Sequence, residues 1–68
     1  MTNSIELRAA ILRKRMTQEQ VAEYLGISPA SLNYKINNKY EFKSSEIKAL
    51  IELLEIEKDD IDGIFFAD

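Results

Sequence analysis

The chain of 68 residues contains no cysteine and no histidine. Their absence excludes disulfide bonds, thiolate and imidazole metal ligands, and every catalytic arrangement built on Cys/His or Ser/His pairs. The carboxylates that remain do not make a catalytic site without a metal set or a domain large enough to form a pocket. We therefore expect a protein that is not an enzyme and that uses neither a metal nor a cofactor.

Helix breakers and long apolar runs are also scarce. Two glycines and one proline are the only strong breakers, which favours helices over a turn-rich β fold. No apolar run approaches the roughly 18 residues of a membrane span, and the start of the chain lacks the basic and apolar segments of a secretory signal. These absences predict no membrane partner and a cytoplasmic location.

The composition, 46% hydrophobic and 31% charged, is that of a folded globule. A chain of this length buries only about 60% of its unfolded surface and cannot support two cores, so residues 1–68 are predicted to form a single domain.

The net charge of −3 is unevenly distributed. Residues 1–40 contain six basic and three acidic side chains, whereas residues 41–68 contain three basic and nine acidic ones. The molecule can thus present a basic end to phosphates, or the asymmetry is a chance feature of a solvated surface.

Apolar residues at helical spacing predict a first helix over residues 4–15, with Asn3 or Ser4 as its N-cap. The stripe consists of Leu7, Ala10 and Ile11, and we expect Ile5, Ala9 and Leu12 to widen the same face. Three basic residues end this segment, where cations suit the negative end of the helix dipole.

Capping signals then predict two short helices in succession. Thr17 and Gln20 form a capping-box pattern at the start of the second helix, and Gly26 is suited to the left-handed conformation that ends it. Ser28 supplies the next N-cap, and Pro29 suits the first helical position. The third helix is predicted from residue 29 to about 37.

A polar loop over residues 37–41 leads to a fourth helix and then a short acidic fifth one. The core stripe of the fourth helix consists of Ile47, Leu50, Ile51 and Leu54. We expect the fifth helix to end near Gly63 and to be followed by Phe65 and Phe66 as core plugs, whereas an exposed aromatic pair there would signal a dimer surface. The acidic run over residues 55–62 is interpreted as a solvated helix face, because it lacks the alternating ligands of a calcium loop.

The segment TQEQVAEYLGISPASLNYKINN, residues 17–38, contains the most specific pattern in the chain. Ala22 allows two helices to cross closely, and Gly26 allows a sharp turn. Apolar residues that fill the angle between the helices are Val21, Leu25, Ile27 and Leu32. In these positions the chain resembles the helix-turn-helix of the Cro and phage-repressor family, also called the xenobiotic-response-element type. The resemblance implies an all-α, compact five-helix, lambda-repressor-like DNA-binding domain with its motif at about residues 17–37.

The resemblance also implies a set of DNA-contacting residues. In the family, the residue at the place of Gln18 binds a phosphate, and exposed side chains early in the third helix read base edges. The helical period places Leu32 and Ile36 in the core and turns the opposite side of the helix outward. The predicted DNA-binding residues are Thr17, Gln18, Ser28, Pro29, Ala30, Ser31, Asn33, Tyr34, Asn37 and Lys39.

Simpler explanations stay open for some of these residues. Asn37, Asn38 and Lys39 either end a helix or contact the DNA backbone. Tyr34 either reaches the DNA or packs on the loop that contains Tyr40 and Phe42.

The chain also departs from the family pattern. Pro29 and Ala30 occupy positions where relatives carry base-reading amides, so we expect sparse, A·T-leaning readout supplemented by DNA shape. Lys35 stands where the family has an apolar residue, and we expect Ile36 to take its place in the core.

These features predict a sequence-specific, double-stranded DNA-binding transcriptional regulator similar to small phage or prophage repressors, with no small-molecule ligand. One recognition helix covers few base pairs, so a homodimer is expected to read a palindrome with half-sites about 10 base pairs apart and to occlude a promoter.

The acidic C-terminal half and the weak base-reading set favour an alternative. It is a helix-turn-helix protein-interaction module, such as an antirepressor, modulator or antitoxin-like protein.

Overall fold

A computed structural model describes all 68 residues as five α-helices without any β-strand. The helices are α1 (Ser4–Arg13), α2 (Gln18–Leu25), α3 (Pro29–Ile36), α4 (Ser44–Leu54) and α5 (Lys58–Phe65). They form a body of 28 × 24 × 20 Å, which confirms the prediction of a compact five-helix, all-α fold. None of the helices has the length and apolar composition that a membrane span requires.

The predicted N-caps of the first three helices are confirmed. Asn3, rather than Ser4, caps α1 and accepts a hydrogen bond from the Glu6 amide at 3.1 Å. Thr17 and Gln20 form the reciprocal capping box of α2, in which each side chain accepts from the other residue's backbone N–H at 3.1 and 2.9 Å. These bonds satisfy N–H groups that have no partner within the helix.

Two predicted helix ends were wrong. The first helix ends at Arg13 instead of residue 15, because Arg15 has a left-handed backbone with φ of 55°. Met16 then donates its N–H to the Ile11 carbonyl at 3.3 Å, which closes the helix end. The last helix continues to Phe65, and Gly63 lies inside it without a positive φ. Gly63 therefore does not end the helix.

All five helices contribute to one core of eleven buried apolar residues. They are Leu7, Ala10, Ile11, Val21, Ala22, Leu32, Ile36, Leu50, Leu54, Ile64 and Phe65. Ala22 is completely buried, as expected for a small residue where helices cross. Leu25 and Ile27 pack against this core from its edge, and Phe42 meets Phe65 edge to face at 6.2 Å between ring centroids.

Three apolar side chains lie outside the core, contrary to the predictions made for them. Ile5 and Leu12 are each 74% exposed, and Phe66 is 57% exposed. Ile5 and Leu12 occupy the side of α1 opposite Leu7, at about 100° of rotation per residue. Helix α1 is therefore apolar on two opposite sides, of which only one faces the core.

Candidate nucleic-acid interface

A connection of three residues, Gly26, Ile27 and Ser28, joins α2 to α3. Gly26 adopts φ of 73°, and its N–H donates to the Glu23 carbonyl at 3.1 Å. The N–H of Ile27 donates to the Ala22 carbonyl at 3.0 Å, which completes a Schellman motif. Ser28 then caps α3 by accepting from the Ser31 N–H at 3.1 Å. These bonds fix the direction in which α3 leaves α2.

Helix α3 has one buried side and one exposed side. Leu32 and Ile36 are both 0% exposed, whereas Ala30, Asn33 and Tyr34 are exposed to solvent. Asn37, the C-cap residue, is also exposed. The predicted outward orientation of this side is thus confirmed, and we call its four residues the α3 face.

The other predicted DNA-binding residues surround this face at the two helix starts and in the following loop. Thr17, Ser28, Pro29 and Lys39 are exposed. Gln18 and Ser31 are half-buried, and Ser31 accepts a hydrogen bond from the Ser28 hydroxyl at 3.0 Å.

Asn37 links the α3 face to α1 through a chain of hydrogen bonds. Its carboxamide nitrogen donates to the side-chain oxygen of Asn33 at 2.9 Å and to that residue's backbone carbonyl at 3.0 Å. Its carboxamide oxygen accepts from Arg8 Nη2 at 2.9 Å. Arg8 was not predicted to belong to the site, and it brings an exposed cation to the C-terminal end of α3.

Tyr34 packs on the loop that follows α3 while 42% of it stays exposed. Its ring meets that of Tyr40 edge to face, with centroids 5.6 Å apart. The Lys39 ammonium lies 5.3 Å from the centroid of the Tyr34 ring, within the range of a cation–π interaction. Tyr34 therefore packs on the loop and still exposes part of its ring to solvent, whereas Phe42 turns away toward Phe65.

Asn38 has a structural role in the fold. It has φ of 65°, and its side chain forms two hydrogen bonds with the backbone of Thr2. The Thr2 N–H donates to the Asn38 carboxamide oxygen at 2.8 Å, and the carboxamide nitrogen donates to the Thr2 carbonyl at 2.9 Å. Both polar groups of Asn38 are thus used to tie the start of the chain to the end of α3.

Lys35 of α3 forms a shielded ion pair with Glu46 of α4. The ammonium lies 2.7 Å from each carboxylate oxygen, and the two side chains are only 11% and 8% exposed. The same carboxylate accepts the Lys43 N–H at 2.8 Å, at the start of α4. Burial opposes the charge on Glu46, but the bonds from Lys35 and Lys43 outweigh it and lower the pKa of the carboxyl below its ordinary 4.5.

This pairing explains how α3 accommodates a lysine side chain that is largely shielded from solvent. The completely buried Ile36 occupies the core beside it, as predicted. Because Lys35 is held by Glu46, α3 itself has no cation free to meet a phosphate.

Ion pairs also reduce the charge of the basic half of the chain. Lys14 is paired with Glu55, so Arg8, Arg13, Arg15 and Lys39 are the basic side chains among residues 1–40 without a carboxylate partner. The acidic side chains of residues 55–62 are all exposed, as predicted for a solvated face. No group of carboxylates in the chain is arranged to hold a metal ion.

The fold and the α3 face define the class of the protein as a small five-helix, all-α domain with one exposed polar helix side next to a glycine turn. The chain belongs to a family described as "Protein of unknown function (DUF739)", whose profile matches residues 3–68. No curated protein matches the chain.

Proposed function

We propose that this protein is a sequence-specific regulator of transcription that binds double-stranded DNA, similar to the small repressors of phages and prophages. The observation that carries the proposal is the α3 face, an exposed helix side held at a fixed angle by a glycine turn and a buried opposite side. An α-helix with its side chains is about 10–12 Å wide, which matches the roughly 12 Å width of the major groove.

The residues of the α3 face supply few but suitable contacts. Asn33 and Asn37 carry carboxamides of the kind that bond adenine, and Ala30 offers an apolar contact for a thymine methyl group. Asn37 is already bonded to Arg8, so a base that takes this carboxamide releases the guanidinium. Arg8 then becomes available to the adjacent phosphate. The base contact and the phosphate contact are coupled in this way.

Phosphate contacts are proposed at both ends of the α2–α3 unit. Gln18 lies at the N-terminus of α2, where backbone N–H groups and the helix dipole favour an anion. Lys39 and Arg8 lie beyond the other end of α3. Such contacts position the protein on the duplex without reading its sequence.

Two copies of the chain are proposed to act together. One helix of eight residues reads too few base pairs to select a site in a genome. A homodimer reading a palindrome with half-sites about 10 base pairs apart doubles the contacts, and occupation of such a site blocks a promoter.

The test is a selection of bound duplexes from a random library, followed by affinity measurements on the selected site. Tyr34→Ala combined with Asn37→Ala should reduce the preference for the selected site over random DNA, because it removes base-facing groups. Gln18→Ala should weaken binding to all duplexes alike, because a phosphate contact carries no sequence information.

Lys48→Ala is the matched control, since Lys48 is exposed on α4 in the acidic half of the chain and should leave both properties unchanged. If affinity and preference are the same in the wild type and in both test proteins, DNA binding through the α3 face is wrong.

A second candidate function is recognition of another protein, such as a regulator or toxin, by the same α3 face. It is favoured by the pairing of Lys35 with Glu46, which leaves α3 without a free cation. The two functions differ in their response to salt. DNA affinity falls with a slope of roughly −0.9 per phosphate contact in log–log form, whereas an apolar protein interface responds little.

A further inference from the structure

The outer side of α1 carries an apolar stripe that no part of the chain covers. Ile5 and Leu12 are both 74% exposed, the largest exposed fractions of any branched aliphatic side chain in the protein. They are seven residues apart, so they lie on one side of the helix, about two turns from each other. Ala9 lies between them on the same side and is small enough to let another helix approach closely.

Opposite charges accompany this stripe along one edge. Glu6 and Arg13 are also seven residues apart, and each follows one of the two apolar residues directly in the sequence. Both are exposed, and neither forms an ion pair within the chain. The edge of the stripe is therefore negative near the start of α1 and positive near its end.

We propose that this α1 stripe binds the same stripe of a second copy of the chain, with the two helices antiparallel around a twofold axis beside Ala9. The α1 stripe would then be the contact surface of the homodimer in the proposed function. Its role rests on that function, although dimerisation itself needs no DNA. The ends of the stripe differ in charge, so a patch of this kind is complementary to itself when reversed.

The twofold symmetry determines which residues meet. A residue three or four positions before Ala9 faces one three or four positions after it on the other helix. Ile5 then contacts the partner's Leu12, and Glu6 pairs with the partner's Arg13. Each contact occurs twice because the interface is isologous.

The same symmetry places both DNA-reading surfaces on one side of the dimer. Arg8 lies on the other edge of the stripe, and it is bonded to Asn37 at the end of α3. A twofold axis perpendicular to the paired helices keeps each edge on its own side of the dimer. Both Asn37 residues therefore emerge on the same side, as simultaneous binding to one duplex requires.

The dimer is expected to be weak in the absence of DNA. A helix of ten residues is about 15 Å long, so the contact belongs with the small interfaces that bury less than about 1,200 Å². We expect a dissociation constant in the micromolar range or above. Two half-sites on one duplex hold the copies at a high effective concentration and complete the dimer there.

Sedimentation equilibrium of the full chain without DNA tests the surface directly. Leu12→Glu places a carboxylate against the partner's Ile5 at each end of the interface and should weaken association by about a hundredfold, because two buried leucines are lost. Phe66→Glu is the matched control, since Phe66 is also an exposed apolar residue, and it should leave association unchanged. Circular dichroism should show the same helix content in all three proteins.

Charge exchange tests the antiparallel register. Glu6→Arg alone and Arg13→Glu alone should each weaken association by about tenfold at low salt, because each turns two attractive pairs into repulsive ones. The double variant Glu6→Arg/Arg13→Glu should restore wild-type association. If Glu6 and Arg13 did not pair across the interface, the double variant would not restore association.

Several outcomes overturn the proposal. The chain could stay monomeric at about 1 mM, the double variant could fail to restore association, or Phe66→Glu could dissociate the dimer while Leu12→Glu does not. A failure of the proposed function gives a different result. In that case Leu12→Glu dissociates the dimer as expected, but selection from a random library enriches no duplex sequence for the wild type or for this variant.

Discussion

The two glycines of the chain differ in their backbone conformation. Gly26 has φ of 73° at the end of α2, whereas Gly63 lies within α5 without a positive φ. A Cβ atom built on either residue would have no heavy atom within 4 Å apart from those of the adjacent residues and of the helix's own backbone. Any cost of alanine at these positions therefore arises from the backbone and not from steric contact.

Alanine substitutions at the two glycines should have opposite effects on stability. Gly26→Ala should lower the free energy of unfolding by about 1 kcal/mol, because a side chain disfavours the left-handed conformation. Gly63→Ala should raise it by about 0.5–1 kcal/mol, because alanine restricts the unfolded chain more and suits a helix better. Urea unfolding of the three proteins measures both differences, and the same sign for both would contradict this explanation.

At the scale of the helix, much of the fold could be predicted from local chemistry. The five helices, the capping box at Thr17, the cap at Ser28 and the turn at Gly26 all depend on residues within a few positions of one another. The outward orientation of the α3 face follows from the burial of Leu32 and Ile36 by the helical period alone.

Most of the wrong or missing predictions concern contacts between distant residues. Periodicity cannot tell which of two opposite apolar sides of α1 faces the core, so Ile5 and Leu12 were placed inside. The bond from Arg8 to Asn37 joins residues 29 positions apart, and no local pattern indicates it. Gly63 was expected to end α5, but glycine alone does not determine a helix end when Ile64 and Phe65 are drawn into the core.

The shielded pair between Lys35 and Glu46 joins α3 to α4. Lys35→Met should lower the free energy of unfolding by about 3 kcal/mol, because it leaves a buried carboxylate without its cation. Lys35→Met combined with Glu46→Leu should stay within about 1 kcal/mol of the wild type, since it removes both charges together. Urea unfolding at neutral pH gives the comparison, and equal losses in the single and double variants would show that the pair has no role.

The response to acid provides a control for the same pair. The pKa of Glu46 is lowered by its bonds to Lys35 and Lys43, so the folded state gains stability from the ionised carboxylate above the ordinary value of 4.5. This stability is lost as the pH falls below 4.5 toward the folded-state pKa. Between about pH 5 and pH 3, the wild type should therefore lose more stability than the double variant.

For the whole molecule, the ion pairs leave only a modest excess of positive charge near the proposed interface. Lys14 and Lys35 are both paired with glutamates of the acidic half. Residues 1–40 therefore contain four unpaired basic side chains and three acidic ones. If Arg8 and Lys39 of each copy contact phosphates, the dimer makes about four such contacts, and its log–log salt slope should be roughly −3.6.

Removal of one proposed phosphate contact should change this slope by a defined amount. Lys39→Ala should make the slope shallower by about 1 per subunit, because one cation fewer displaces counterions. Lys48→Ala removes the same charge from the acidic half and should leave the slope unchanged. Fluorescence anisotropy of a labelled duplex at several salt concentrations measures both slopes, and equal changes in the two variants would show only a general effect of net charge.

The aromatic pair beside Lys39 also gives the protein an internal optical reporter. The chain has three tyrosines and no tryptophan, so no indole obscures tyrosine emission. Two of the three, Tyr34 and Tyr40, form the edge-to-face pair at the end of α3. In a Tyr24→Phe background, every emitting ring lies at this one place, and occupancy of the α3 face can be followed there without attaching a dye to the protein.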